Sequence, residues 1–562
     1  MTLNSFTYSL PGDIEDSLRG ELASWRNDDK IARIWAKDAT VWTDDDESKW
    51  LGWLAVADEE LGDLKKYLDF ADDIKDAGFT DILLMGMGGS SLCPEVLALT
   101  FGKTNFHILD STVPAQVKAV EERIDLEKTL FIVASKSGST LEPNCFKQYF
   151  FERVAEKVGR ESAGRQFVAI TDPGSKMEQV ARDDNFRQIF YGKPDVGGRF
   201  SALSAFGMTA AASMGIDVGQ FLTCANEMVA ACRVEAPSEN PGALLGLILG
   251  VCHKHGRDKL TIFTSPEIHS LGAWLEQLIA ESTGKNGVAI IPVDREPMQQ
   301  IDKYGNDRVF AFLSLNDNPE MSAGYDNITA AGLPAVKIEL DSTDNLGQEF
   351  FRWEFATAVA GSVMQINPFN QPDVESAKIE ARKITDEYEQ TGSLPDEHAF
   401  FEEYGISLFT SDAYAATLKA SADDQSIAGF IDAHIRQIVE TDYFALLAYL
   451  EMNSENERLL SEIREKVIAR YGVATCLGFG PRFLHSTGQA YKGGANNGVF
   501  LQVTSDDAFD LPVPGQKYTF GVVKAAQSRG DFQVLLERDR RALRIHLAKD
   551  VAGGLKMLAD LI

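Results

Sequence analysis

Cysteine is scarce and scattered in this chain. Its six cysteines (Cys93, Cys145, Cys224, Cys232, Cys252 and Cys476) include no C-x-x-C pair, so the spacing supports neither a disulfide framework nor a zinc site. Basic residues are also in short supply: 54 Lys and Arg stand against 84 Asp and Glu, a net charge of −30. A field of that sign repels a phosphate backbone and argues against a nucleic-acid partner. No apolar run approaches the roughly 20 residues that a membrane span needs, and residues 1–30 carry no charged-then-apolar leader. No membrane partner is therefore expected, and the cytoplasm is the expected compartment. Low-complexity segments and short-period repeats are absent too.

What is present is a chain of 562 residues with 44% hydrophobic and 25% charged content, too long for one compact core, so two or three domains are expected. From Thr80 onward, short apolar runs alternate with longer amphipathic stretches: Asp81–Met85, Phe106–Leu109, Leu130–Ala134, Phe167–Ile170 and Ile189–Tyr191. A second set follows at Leu260–Phe263, Val288–Ile291, Val309–Leu313 and Val336–Leu340. Alternation of this kind predicts an α/β fold with two doubly wound parallel-sheet, Rossmann-like domains. The expected boundaries are an N-terminal extension over 1–55, a first domain over 56–238, a second over 239–470, and a C-terminal segment over 471–562. Pro237, Pro241 and Gly242 punctuate the chain between the two domains. The amphipathic stretch from Gln348 to Gln365 should end before Asn367-Pro368. Thr475–Leu477, Val499–Val503 and Phe520–Val523 are expected as strands completing the second sheet. The acidic stretch from Trp42 to Trp53 is expected as a solvated loop entering a helix.

Two loops carry chemistry in the first half. Gly86-Met87-Gly88-Gly89-Ser90-Ser91 follows the first strand, and its glycines allow a tight turn and close approach to a ligand. It could belong to a dinucleotide site, with Asp110 where a ribose-binding acid would sit, or be a purely structural turn. Ser91 occupies the third glycine position of that fingerprint, which weakens the dinucleotide reading. The second loop, Ser135-Lys136-Ser137-Gly138-Ser139-Thr140, opens a helix after the strand ending at Ala134. Four hydroxyls around one glycine at a helix N-terminus make a phosphate cradle, to which Lys136 would add a point charge. A plain cap would need only one of these hydroxyls. The spacing is not that of a P-loop.

Further on, Gly197-Gly198-Arg199-Phe200-Ser201 sets an arginine on a glycine pair, able to stabilise negative charge in a cleft. Gln277 and Glu281 lie four apart and share one helix face, and Gly284 would end that helix. Taken alone, Glu281 would be an ordinary helix acid and Lys378 a solvated surface charge.

Together these segments carry a resemblance. G-x-G-G-S and S-K-S-G-S-T-x-E resemble the sugar-isomerase (SIS) domain, which binds phosphosugars. G-G-R-F-S with Ser204, Ala205 and Gly207, Q-x-x-x-E-S-x-G-K at 277–285, and Asn367-Pro368-Phe369-Asn370-Gln371-Pro372-Asp373-Val374-Glu375-Ser376-Ala377-Lys378 resemble the phosphoglucose isomerase family. Pro194 departs from the family signature. The match spans residues 40–390, with a further segment around 480–495, and is similar to the isomerase part of bifunctional transaldolase–phosphoglucose isomerases. No second barrel-sized domain fits here, so transaldolase activity is not expected.

The resemblance implies reversible isomerisation of glucose 6-phosphate to fructose 6-phosphate, a step of glycolysis and gluconeogenesis, without metal or cofactor. It implies Glu281 as the base, Gln277 as a supporting amide, Arg199 as the cation for a cis-enediol intermediate, and Gln371 and Lys378 as functional residues. The phosphate is expected on Ser135, Ser137 and Thr140 with Lys136, helped by Gly89, Ser90 and Gly198. Pro143 replaces a later phosphate-site threonine of the family. The ring-opening histidine is displaced: residues 286–349 contain no histidine, and Gly347-Gln348-Glu349 stands where the family carries G-Q-H. Leu484-His485-Ser486-Thr487-Gly488-Gln489 resembles the family's L-H-S-x-G-Q form, so His485 is expected to take the role, with His269 as the alternative. A homodimer is implied by resemblance only, and activity on mannose 6-phosphate stays open. Two other classes fit less well. A glutamine-dependent aminotransferase would need an N-terminal cysteine domain, whereas the first cysteine is Cys93. A phosphosugar sensor would have no need of Glu281, Lys378 and His485 together.

Overall fold

The computed structural model describes residues 3–562 and divides into two compact units. The first comprises the chain up to Asp110, Val120–Arg295 and Arg308–Asn370; the second comprises Ser111–Ala119, Glu296–Asp307 and Gln371–Ile562.

The first unit opens with strand β1 (Ser5–Ser9). Next come β2 (Asp81–Gly86), β3 (Phe106–Leu109), β4 (Thr129–Ala134), β5 (Phe167–Thr171) and β6 (Gln188–Tyr191), which form a parallel sheet in the order β3-β2-β4-β5-β6. Every residue of β4 and β5 is buried, as expected where helices cover both faces of a parallel sheet. The winding reverses between β2 and β4. Ligands of open α/β sheets bind outside the carboxyl ends at such a switch point, and both glycine- and serine-rich loops leave the sheet there.

A second sheet contains β7 (Lys259–Thr264), β8 (Ile291–Asp294), β9 (Arg308–Leu315) and β10 (Ala335–Leu340) in the order β1-β10-β9-β7-β8, parallel except for β1. The edge strand thus comes from the N-terminus rather than from the C-terminal segment. Asn4 fixes its register: its amide N–H meets Gln348 (2.8 Å) and its side chain meets Glu349 (2.8 Å). β8 starts later than the expected Val288 because Asn286 and Gly287 both adopt positive φ in a turn closed by paired Lys285–Val288 hydrogen bonds. Such two-residue turns favour Asn-Gly, since both central positions are left-handed. The two sheets, expected as separate domains, share one core that runs from Leu84 and Ile132 to Ile262 and Ala311. The long helix Leu346–Met364 lies in that core and ends before Asn367-Pro368, as its sequence predicts. The acidic stretch near residue 45 is exposed at Asp44 and Asp45 and leads into the helix Trp53–Gly62, but it turns one side chain inward. Glu47 is fully buried and accepts from the backbone of Thr43 (3.0 Å) and Asp45 (2.8 Å).

The second unit has its own sheet. Strands β11 (Phe401–Glu403), β12 (Ile406–Phe409), β13 (Tyr443–Tyr449), β14 (Ala474–Phe479), β15 (Gly498–Ser505) and β16 (Arg541–Leu547) are arranged β11-β12-β16-β15-β13-β14. The runs at 475–477 and 499–503 therefore pair with β13 and do not extend the second sheet. The wholly buried β13 gives this unit a centre of its own. Phe520–Val523 is not a strand: Thr519 caps it through the Val522 N–H, and it opens the helix Phe520–Glu537. The hydroxyl cap settles the ambiguity that a short apolar run leaves open.

Candidate active site

The loop after β2 turns at Gly88–Ser90 and packs against the turn Gly198–Phe200 and the helix Leu271–Thr283. A side chain at Gly89 would place Cβ 2.0 Å from the Gly198 carbonyl oxygen, so the two turns can cross only because Gly89 has none. Ser91 donates to Asp110 (3.1 Å), which is itself buried. The acid that a dinucleotide ribose would need is thus committed to the protein.

Beside it, the loop after β4 presents its hydroxyls at the start of the helix Leu141–Val158. Ser137 and Ser139 bond each other through their hydroxyls (2.8 Å), and Ser135 Oγ lies 3.4 Å from Thr140 Oγ1. Thr140 is the helix N-cap but makes no side-chain cap bond, so its hydroxyl does not satisfy the first-turn N–H groups that an anion would meet. Lys136 departs from expectation. Its ammonium donates to Asp172 (2.6 Å) and to the Lys193 carbonyl (2.7 Å), so its charge is neutralised in a strut joining the ends of neighbouring strands.

A buried cation–carboxylate pair sits where three motifs meet in the first unit. Gln277 Nε2 donates to Glu281 Oε2 (3.2 Å) across one helical turn. Arg199 Nη1 lies 3.5 Å from Glu281 Oε1, with side-chain exposures of 2% and 10%. The guanidinium is fixed on its other edges: Nε donates to Ser282 Oγ (2.7 Å), and Nη2 donates to the carbonyls of Pro368 (2.7 Å) and Asn370 (3.1 Å). Burial pushes the Arg199 pKa down and the Glu281 carboxylate pulls it up. A buried, multiply held cation beside a carboxylate can stabilise charge developing on a bound molecule.

Gln371, Lys378 and His485 belong to the second unit. His485 ends the turn Arg482–His485 and is buried. Four residues on, fully buried Gln489 accepts from the backbone N–H groups of Asp373 (2.9 Å) and Val374 (3.2 Å) and donates to the Asp373 carboxylate (2.8 Å). The helix Pro372–Thr391 has no side-chain cap from Gln371; Gln489 supplies it from the histidine motif. This brings the His485 segment to the N-terminus of the helix that carries Lys378. Lys378 itself is half-exposed and pairs with Glu375 (2.9 Å).

Glu349, standing where the family carries a histidine, is fully buried. It accepts from Asn4 (2.8 Å), lies 3.4 Å from Arg352, and has its pKa raised by burial. That position is taken up in anchoring the N-terminus. His269 is exposed, with Nδ1 2.8 Å from the Pro266 carbonyl. Sequence reasoning missed Ser282, Lys285, Gln489 and Asp172. The first three lie inside the motifs already quoted, which was their one signal.

The fold and the site define the class: a doubly wound α/β protein of the sugar-isomerase fold with a buried Arg–Glu pair. Residues 72–296 match the family model described as phosphoglucose isomerase. The glucose-6-phosphate isomerase of Methanocaldococcus jannaschii is 30% identical over 339 residues, 54% of this chain and 83% of that protein. A crystal structure of a hypothetical protein from Thermus thermophilus superposes with a TM-score of 0.59 at 23% identity, covering 67% of this chain and 99% of the other. That of a glucose-6-phosphate isomerase from Chlamydia trachomatis does so at 0.52 and 22%, covering 63% and 77%. This chain belongs to the phosphoglucose isomerase family.

Proposed function

We propose that the chain interconverts glucose 6-phosphate and fructose 6-phosphate through a cis-enediol intermediate, with Glu281 as the base. The observation that carries this is the Arg199–Glu281 pair, 3.5 Å apart and buried, on segments packed against the Gly88–Ser90 turn. The substrate phosphate sits on Ser135, Ser137 and Thr140, with Ser90 and the helix N-terminus at Leu141 completing its surroundings. Lys136 acts on this loop as a strut.

Glu281 takes the proton from C2 of the open-chain aldose, and the C–H electron pair forms the C1–C2 double bond as negative charge collects on O1. Arg199 stabilises that charge without giving up a proton. After a proton passes from the C2 hydroxyl to O1, Glu281 returns its proton to C1 and the ketose forms. His485, with Lys378, moves the proton between the ring oxygen and the anomeric hydroxyl when the ring opens. Support for His485 is its motif, its burial, and the Gln489 link to the Lys378 helix. A homodimer in the cytoplasm, acting in glycolysis and gluconeogenesis, completes the proposal; light scattering tests the oligomeric state. Among the described residues no helix is long and apolar enough to cross a membrane.

The deciding experiment is a coupled assay of fructose 6-phosphate formation on wild type, Glu281→Gln and His485→Ala. A Glu281→Gln variant with near-full activity would remove the base assignment.

A further inference from the structure

Two buried cations span the same gap in the first unit. Arg199 reaches from the side chain of Ser282 to the carbonyls of Pro368 and Asn370. Lys285, 3% exposed, donates from Nζ to the carbonyls of Ser282 (2.8 Å) and Asn367 (2.7 Å). Each therefore ties the C-terminal end of the Glu281 helix to the segment 367–370. One works through the hydroxyl of Ser282, the other through its backbone. Both ends of the Lys285 strut are themselves held. Its backbone exchanges hydrogen bonds with Val288 across the Asn286-Gly287 turn (2.9 and 3.0 Å). The Asn367 side chain donates to Asp46 (2.8 Å) and accepts from the Phe369 N–H (2.9 Å).

We propose that Lys285 is a positioning residue for the isomerisation: it sets the width of the gap that Arg199 bridges, and thereby the distance from the guanidinium to Glu281. This rests on the roles given above to Glu281 and Arg199. An apolar side chain would fill the same volume but would leave the Ser282 and Asn367 carbonyls without their donor in a buried place. The segment 367–370 would then relax away from the helix and carry Arg199 with it. Catalytic groups must stay within about 0.5 Å of their working geometry, and a displacement of about 1 Å can lower the rate by 10²-fold. The proposed phosphate hydroxyls of Ser135, Ser137 and Thr140 follow β4 in the other sheet, so substrate affinity should be spared.

The test compares Lys285→Met, which keeps volume without a donor, with Lys285→Gln, which keeps a shorter donor. For Lys285→Met the expected result is a kcat loss of about 10- to 100-fold at a KM for fructose 6-phosphate close to wild type. Its far-UV circular dichroism should match wild type, and Lys285→Gln should recover part of kcat. Combining Lys285→Met with Arg199→Lys should cost less than the product of the single losses, since both act on one geometry. An unchanged kcat in Lys285→Met overturns the proposal. So does a loss of activity that vanishes once the rate is divided by the fraction of folded, active protein, or a rise in KM with kcat unchanged. If Lys285→Met does not fold, Lys285→Gln decides by the same kcat-against-KM criterion. Glu281→Gln runs alongside: its retained activity would defeat the base assignment, whereas an inactive Glu281→Gln with an unaffected Lys285→Met defeats the strut alone.

Discussion

Replacing Arg199 with lysine keeps a cation beside Glu281 while removing the fork that holds it. The native guanidinium donates to Ser282 Oγ, Pro368 O and Asn370 O and faces Glu281 at 3.5 Å, four partners from one planar group. A lysine ammonium has three donors and a shorter reach, so it cannot serve the backbone carbonyls and Glu281 at once. At least one buried carbonyl is left unpaired, at about 1–3 kcal/mol of stability. The larger effect falls on the transition state, where loss of one preorganised charge-stabilising donor costs about 10²- to 10³-fold in kcat, roughly 2.7–4 kcal/mol. Arg199 is not among the residues proposed to hold the phosphate, so KM should hold. The assay is steady-state isomerisation of fructose 6-phosphate with a glucose 6-phosphate-specific coupling enzyme, beside thermal denaturation of the same samples. If Arg199→Lys raised KM with kcat unchanged, Arg199 would be a ground-state binder. If neither parameter moved, its place in the chemistry would be lost.

Other outcomes follow from buried groups. Glu354 is buried, and burial holds its pKa well above the ordinary carboxylate value, opposed by the backbone of Ala202. The folded chain therefore keeps a proton that the unfolded chain releases, and stability falls as pH rises above the unfolded value. Glu354→Gln removes that loss, so chemical denaturation should show it gaining on wild type as pH rises above the unfolded carboxylate value, by up to about 1.4 kcal/mol per pH unit for as long as the folded carboxyl keeps its proton. His485→Ala should lose activity on the cyclic sugar yet still exchange the C2 proton of an open-chain analogue, as deuterium incorporation would show. Gln489→Leu should reproduce the His485→Ala pattern, because it frees the His485 segment from the N-terminus of the Lys378 helix; unchanged turnover of the cyclic sugar would refute that link.

The parallel sheets are legible in the sequence because their strands are short apolar runs punctuated by glycine and serine. β4 and β5 lie where their sequence puts them, and the Arg199, Gln277 and Glu281 motifs converge within one unit. Less legible features depend on partners distant in sequence. β1 is too short and polar to declare itself; its register comes from bonds between Asn4 and residues more than 340 positions away. The third sheet looks in sequence like an extension of the second, because strand pairing is not encoded in any single run. Phe520–Val523 is apolar and β-branched enough to suggest a strand, but the Thr519 cap makes it a helix start. Lys136 illustrates a different limit. Its place in a serine-rich loop suggests a phosphate contact, and only the position of Asp172 shows where its charge goes.

The central claim is that Glu281 carries one proton between C2 and C1. The most direct measurement follows glucose 6-phosphate deuterated at C2 by proton NMR during conversion in water, for wild type and Glu281→Gln. A single carboxylate shuttling that atom predicts some deuterium retained at C1 of the fructose 6-phosphate made by wild type. The variant should neither convert the sugar nor exchange its label, while still binding fructose 6-phosphate by calorimetry. Conversion or label exchange by Glu281→Gln at a rate near wild type would contradict it.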